Sequence, residues 1–559
     1  MVNRVGGFFK KEFSHTSEAA LLLAGFSLFS QVLALLRDKI LAYTFGAGLE
    51  LDIYYASFRV PDLVYALVSS MLASVVLVPM VIGFIEREEK ERAEIFLGAV
   101  FKFFSFFTIA LSVILFFVMP SLVSFLVPGM GDEARETTTL LSRILLLSPF
   151  LLGLSNLFGS IAQINKHFAL VAFAPVLYNV GIILGILIFF PIFGLEGLAV
   201  GVVLGALFHA GLQALGLRHT RVSLLFRSDV PRAPLFELIK TSFPRVLTLS
   251  MSQFVIFIFT ALASTLAIGS ISVFTFAFNL QSVPLALVGL SYSIAAFPGL
   301  AYLVARNDRE GFVKEIESAV KQIIFWSISI TVFFIVLRAH IVRVVLGSGA
   351  FNWADTKLVA AGLAIFVFSV IAQNLSLFFT RGYYALKDTK TPLILQGIAS
   401  LAMLFLGAWF LYLFENIPFA RHFFESLFRV EDVPGSAVLA LPIAYSLGSV
   451  LGAILLGAGL MRKNFFSLKS ILPSFYQASG AALLGGYATY ILLGILSPVF
   501  GLSTFFGVLL PAFIAGSLGI LVSIVFLALL DNEEWKSIVR ALRHRFWKTE
   551  PLMPEQTEL

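Results

Sequence analysis

Residues 29–79 read FSQVLALLRDKILAYTFGAGLELDIYYASFRVPDLVYALVSSMLASVVLVP, and this stretch decides what kind of chain it belongs to. Two apolar runs meet at a short glycine-containing turn, Gly46 to Gly48, so the pattern predicts two membrane helices in succession. Yet Arg37, Asp38, Lys39, Asp52, Arg59 and Asp62 lie inside those runs or at their edges. A charge at mid-bilayer costs about 2.5–3.5 kcal/mol on insertion scales. Arg37 and Arg59 are therefore expected to face a wet cavity or a charged ligand instead of lipid. Pro61 cannot donate to the Ser57 carbonyl and should kink the helix beside Arg59. The expectation is a bent helix pair presenting cations to an anionic substrate within the membrane.

The rest of the chain agrees. Of 559 residues, 59% are hydrophobic and only 13% charged, where soluble domains carry about 25% charged residues. The 60 Phe suit lipid-facing and interhelical surface. The absence of Cys excludes disulfides, thiol catalysis and Cys-based metal sites. The first apolar run, from Ala19, follows Arg4, Lys10 and Lys11 but lacks a small-residue cleavage site, so it is expected to stay in the protein. A net charge of +6 would suggest nucleic acid in a soluble protein. Here the placement of the cations gives it another meaning, and no nucleic-acid partner is expected.

Apolar runs long enough to span a bilayer fall near 18–44, 53–85, 95–127, 137–162, 168–192, 195–217, 235–268, 271–304, 315–346, 355–384, 392–414, 434–460, 473–497 and 503–530. That makes fourteen, an even number, with both termini on one side. With that side cytoplasmic, the inner segments hold 28 Lys and Arg, while the outer ones hold only Arg135, Arg338, Arg343, Lys357, Arg421 and Arg429. Such a bias is the positive-inside signature, and it predicts a multi-pass membrane protein with cytoplasmic termini.

An internal repeat is legible as well. Val60-Pro61 and Val78-Pro79 are echoed by Val283-Pro284 and Phe297-Pro298, and the basic loop before Pro175 by the one before Pro392. The shift spans six helices, so the halves keep the same orientation, a common transporter plan. The expected fold class is all-α: two parallel six-helix lobes, 1–217 and 246–461, plus two further helices in 462–530. A basic cytoplasmic linker, 218–245, runs into the seventh span, which starts near 235, and suits anionic lipid headgroups. The longest outer loop, 415–433, could hold a short interfacial helix. The tail, 531–559, contains WKSIVRALRHRFWK, which reads as an amphipathic helix on the inner membrane surface.

No catalytic constellation accompanies these features. There is no Walker A, HExxH or GxSxG sequence and no Cys/His cluster, and the seven His show no ligand spacing, so neither an enzyme nor a metal site is expected. Plainer readings stand beside the functional ones. Arg37 could snorkel or pair with Asp38, and Asp52 could be a helix N-cap. Lys102 and Arg143 could snorkel to the interface. Lys387, Asp388 and Lys390 could form a turn, and His209 could be a packed residue.

The residues Arg37-Asp38, Phe45-Gly46, Gly48, Asp52, Arg59, Pro61 and Asp62 resemble the motif of the MurJ (MviN) lipid II flippases. These belong to the multidrug/oligosaccharidyl-lipid/polysaccharide exporter superfamily. Further matches are Ala174-Pro175 with Asn179, Gly269-Ser270-Ile271-Ser272, and Ala385 to Pro392, and the similarity covers nearly the whole chain. The resemblance implies a flippase that carries undecaprenyl-diphosphate-linked disaccharide pentapeptide outward by alternating access between the lobes. It also implies anionic lipids and cell-wall synthesis enzymes as partners, with membrane potential or a monovalent cation as the coupling source and no other cofactor. A diphosphate wants guanidinium donors, which stay charged and bind its oxygens bidentately.

On this reading Arg37 and Arg59 are the principal diphosphate contacts, with Asp38, Asp52, Gln31 and Asn279 beside them. Pro61, Pro284 and Asp388 serve as hinges or gate elements. The chain also departs from the family. Gln31, Tyr65 and Asn279 stand where the family usually has Arg, and Phe259 stands where many members carry a carboxylate linked to sodium. A divergent member is expected. A flippase for another lipid-linked glycan, a cation-coupled exporter and a non-transporting membrane scaffold remain as alternatives.

Overall fold

The computed structural model describes residues 16–71, 74–165, 167–217, 224–225, 232–431, 433–501 and 504–546. The basic N-terminus with Arg4, Lys10 and Lys11, residue Lys166, most of the linker 218–231 and the last residues of the tail lie outside these. Among the described residues the chain is helical with no strand.

The first half comprises α1 (Thr16–Phe45), α2 (Leu49–Ser57), α3 (Arg59–Met71), α4 (Ser74–Glu86), α5 (Lys90–Leu126), α6 (Asp132–Leu145), α7 (Leu147–Ile164), α8 (Phe168–Leu184), α9 (Phe190–Phe193) and α10 (Leu195–Gly216). Next come α11 (Arg232–Ser264), α12 (Ser270–Pro284), α13 (Ser291–Ala305), α14 (Arg309–Val345), α15 (Trp353–Phe368) and α16 (Val370–Ala385). The chain ends with α17 (Lys390–Asn416), α18 (Pro418–Phe428), α19 (Ala440–Arg462), α20 (Leu468–Phe500), α21 (Phe505–Leu529) and α22 (Glu533–Phe546). Each of the fourteen expected runs carries helix. Among the described residues, eleven helices or helix runs are long and apolar enough to cross a membrane, or twelve if α15 and α16, bent by 43° at their junction, form one span. The chain is a multi-pass membrane protein.

Among the described residues, the second expected span is interrupted at Phe58, between α2 and α3, beside Arg59 where the kink was expected. Pro61 is the reason, because it offers no N–H to the Ser57 carbonyl. That carbonyl instead accepts from the buried Ser142 hydroxyl on α6, 3.1 Å away, and the chain resumes with Asp62 N–H donating to Phe58 O at 2.7 Å. The turn expected at Gly46 is present, with Gly46 at φ +61° closing α1.

Contacts divide the chain into two units. One comprises Met1–Leu280, Val345–Gly362 and Asp388–Gly448. Within it α8 and α10 approach so closely that a Cβ at Gly181 would strike the Gly205 backbone, the small-residue packing that helices use where lipid removes any hydrophobic drive. The other unit comprises Gln281–Val344, Leu363–Lys387 and Ser449–Leu559. Its interior is pinned by side-chain hydrogen bonds: Asn374 Nδ2 to Ser327 Oγ at 2.8 Å, Gln373 Nε2 to Gln281 Oε1 at 3.0 Å, and Thr331 Oγ1 to Val367 O at 3.1 Å. After Pro284 the backbone widens into a π-helical segment, Leu285–Leu290. Such segments mark places where a helix ladder has slipped, and they recur at functional sites.

The loop 415–433 does contain a helix, α18, whose Phe424 stacks with Phe414 at 5.4 Å while Phe419, Phe423 and Leu427 point outward. The tail helix α22 is present too. Its buried Glu534 accepts from Ser474 Oγ at 2.6 Å, which fastens the start of the tail to α20.

Candidate membrane-embedded polar site

The charges singled out in the sequence gather in the first unit. Arg37 extends from α1 and donates to Asp38 Oδ1 through Nε at 2.9 Å and Nη2 at 2.8 Å. Its remaining nitrogen, Nη1, donates to Asn179 Oδ1 on α8 at 3.3 Å. Asp38 is buried, and its second oxygen accepts from Asn279 Nδ2 on α12 at 3.1 Å. A relay Asn179–Arg37–Asp38–Asn279 thus links three helices. The ion pair with Asp38, the plainer reading of Arg37, is formed. Arg37 nevertheless keeps part of its surface open and lines a cavity of about 570 Å³ together with Gln31, Tyr178 and Asn179. Of the cavity candidates, Gln31 and Arg37 therefore share one space.

Arg59 is placed differently. Its Nε donates to Thr260 Oγ1 at 2.8 Å and its Nη2 to Thr275 Oγ1 at 3.0 Å, which ties α3 to α11 and α12. Asp62, one turn on, faces a second cavity of about 310 Å³ lined by Tyr65, Tyr178 and His209 among others. Pro175 and Tyr178 line both cavities.

Asp52 corrects its plainer reading, because it does not cap its own helix. α2 begins at Leu49 with Gly48 in the cap position. The buried Asp52 carboxylate instead accepts from Gly269 N at 2.7 Å, Ser272 N at 2.7 Å and Ser272 Oγ at 2.6 Å. It therefore caps α12, where an anion complements the orphan N–H groups and the positive end of the helix dipole. Gly269 allows this approach. Its φ is +91°, and a Cβ there would strike the Ala47 carbonyl oxygen.

Three of the four positions that depart from the family pattern have structural partners. Asn279 donates to Asp38, and Tyr65 Oη accepts from Asn156 Nδ2 at 3.4 Å. Phe259 is fully buried, edge-on to Phe274 at 6.0 Å. Asp388 forms the turn expected of it, accepting from Thr391 N at 3.0 Å and Thr391 Oγ1 at 2.8 Å at the start of α17. His209 packs against Ser155, 2.6 Å from Nδ1 to Oγ.

Sequence reasoning missed Thr260, Thr275 and Tyr178, and it held Asn179 only as a motif match. Asn179 carried a usable signal, an amide in an otherwise apolar helix one turn after Pro175. The threonines carried none, since Thr in a membrane helix satisfies itself locally, as Thr260 does by donating to Ile256 O at 2.9 Å.

Among the described residues no group of three or more His, Asp or Glu could hold a metal. The arrangement offers an immobilised guanidinium beside a cavity, a chemistry for binding an anion.

Curated relatives include a probable lipid II flippase MurJ of Rhizobium tropici, 26% identical over 67% of this chain and 72% of its own. Another is the lipid II flippase MurJ of Burkholderia cenocepacia, 23% identical over 83% of this chain and 88% of its own. Among solved structures, a lipid II flippase MurJ in an inward closed conformation superposes with a TM-score of 0.71 at 23% identity, covering 93% of this chain and 100% of that one. An inward-facing multidrug MATE family transporter of the MOP superfamily matches at 0.64 and 18% identity over 78% of this chain and 94% of its own. The family model described as "Lipid II flippase MurJ" matches residues 41–510, and the chain belongs to that family.

Proposed function

We propose that this chain is a transporter, not an enzyme, and that it flips a polyprenyl-diphosphate-linked peptidoglycan precursor, lipid II, across the bacterial cytoplasmic membrane. The observation that carries the reading is Arg37, a guanidinium on a membrane helix, immobilised by Asp38 and Asn179 and bordering a cavity. A diphosphate can compete for such a group because guanidinium–phosphate pairs are bidentate and charge-assisted. Arg59 then serves as the second diphosphate contact, leaving Thr260 and Thr275 as substrate arrives, with Asp52 holding α12 as a gate. Lobes 1–217 and 246–461 rock about hinges at Pro61 and Pro284, with the turn at Asp388 joining the gate and both termini cytoplasmic. The movement draws on membrane potential or a monovalent cation. Anionic lipids and cell-wall synthesis enzymes are its partners.

Complementation tests this. The gene is expected to sustain wall synthesis in cells depleted of their own lipid II flippase, and Arg37→Ala and Arg59→Ala to abolish rescue at unchanged membrane abundance. Lysis at normal expression of the intact protein would overturn the assignment. Rescue by the intact chain with both variants still active would remove the arginines from the mechanism. The Arg37–Asp38 pair and the packed Phe259 favour a second reading, a non-transporting scaffold. On that reading the two Ala variants lower abundance.

A further inference from the structure

The cavity beside Arg37 extends away from the guanidinium, and its wall has a chemistry that a diphosphate does not explain. Ser27, Ser30, Gln31 and Arg37 of α1 line the cavity within an arc of about 120° around the helix axis, so a polar stripe runs along a helix whose exposed side chains include Leu28, Phe29, Val32 and Leu36. Opposite the stripe stand Tyr178 and Asn179 of α8. Asn179 is committed elsewhere. It bridges Arg37 and Ser30, accepting from the first and donating to Ser30 Oγ at 3.2 Å. Gln31 has no such bond to any described residue, so its amide presents both an acceptor and two donors to the cavity.

An amide left without partners in an apolar surround costs several kcal/mol by transfer scales. An acyl or prenyl chain lying in this space would impose that cost. A saccharide would remove it, because each hydroxyl both donates and accepts. Position adds to chemistry. Gln31 lies six residues before Arg37, which at 1.5 Å per residue is about 9 Å along the helix axis. That is the reach of the first one or two sugar rings attached to a diphosphate held at Arg37, and short of anything attached beyond them. A cavity of about 570 Å³ is of the size that accommodates such a group.

We propose that this groove is a saccharide subsite, in which Gln31 with Ser27 hydrogen-bonds the sugar nearest the diphosphate and the Tyr178 ring forms its apolar wall. The assignment rests on the diphosphate reading of Arg37 and adds a recognition element to it.

The test uses the purified full chain in nanodiscs and two probes, a bare polyprenyl diphosphate and the same lipid carrying an N-acetylhexosamine disaccharide. The intact protein should bind the glycosylated probe more tightly than the bare one. Gln31→Leu should weaken binding of the glycosylated probe by about tenfold, the loss expected for one buried polar contact left unmade. It should weaken the bare probe distinctly less, so that the preference for the glycosylated probe falls, while the thermal unfolding midpoint stays where it was. Arg37→Ala should weaken both probes. If Gln31→Leu weakens both probes equally, or neither, the saccharide subsite is wrong while the diphosphate reading stands. If the intact chain binds neither probe, both are wrong.

Discussion

Asp52 and Ser272 are 220 residues apart in the sequence, and their side chains meet at 2.6 Å. With Gly269 they form a cap in which one buried carboxylate satisfies two backbone N–H groups and a hydroxyl. Asp52→Ala should strand those donors and lower stability by about 2–4 kcal/mol. The check is a thermal unfolding midpoint in detergent, with Glu50→Ala, a neighbouring carboxylate in the first turn of α2, as the control. An Asp52→Ala midpoint as high as the control's would show that the cap contributes nothing.

Ser142 replaces the hydrogen bond that Pro61 takes away. Ser142→Ala should cost about 1–2 kcal/mol, the scale of an interhelical hydrogen bond in a membrane protein. In the double variant with Pro61→Ala, the new N–H at position 61 can reach the Ser57 carbonyl, so the two changes should be less damaging together than their sum. A double-mutant cycle on unfolding midpoints measures this, and simple additivity would refute the compensation.

Glu425 gives a pH dependence of known sign. It lies on α18, a helix too short to cross a membrane. Burial pushes its carboxyl up, but hydrogen bonds from Arg421 and Ser436 and the charges of Arg421 and His422 outweigh burial and leave it below its ordinary 4.5. A group lowered on folding stabilises above its unfolded value, and that stability is lost as pH falls through the folded one. Below pH 4.5 the wild-type midpoint should therefore drop more steeply than that of Glu425→Gln. Parallel slopes would mean that the Arg421–Glu425 contact, 2.8 Å in the structure, has no net effect.

The chain has no Cys, so single introduced thiols report topology directly. His422 and Arg92 have exposed side chains. His422→Cys should react with a membrane-impermeant maleimide applied to intact cells, and Arg92→Cys only after permeabilisation. The reverse pattern would invert the orientation drawn from the cation bias.

Much of this molecule could be read from the residue order. Helix positions follow from apolar runs long enough to cross a bilayer, because an unpaired backbone in lipid leaves the chain little choice. The break near Pro61 follows from a missing N–H, and the polar weight of Arg37 and Arg59 from the cost of charge in hydrocarbon. Those are local properties, and local chemistry suffices to state them. The partners were not legible. That Asp52 caps α12 instead of α2, that Arg59 reaches Thr260 and Thr275, and that Ser142 rescues the Ser57 carbonyl are meetings between helices 85 to 220 residues apart. A polar side chain in a membrane protein announces only that it needs a partner, and the packing of helices in three dimensions decides which one it finds.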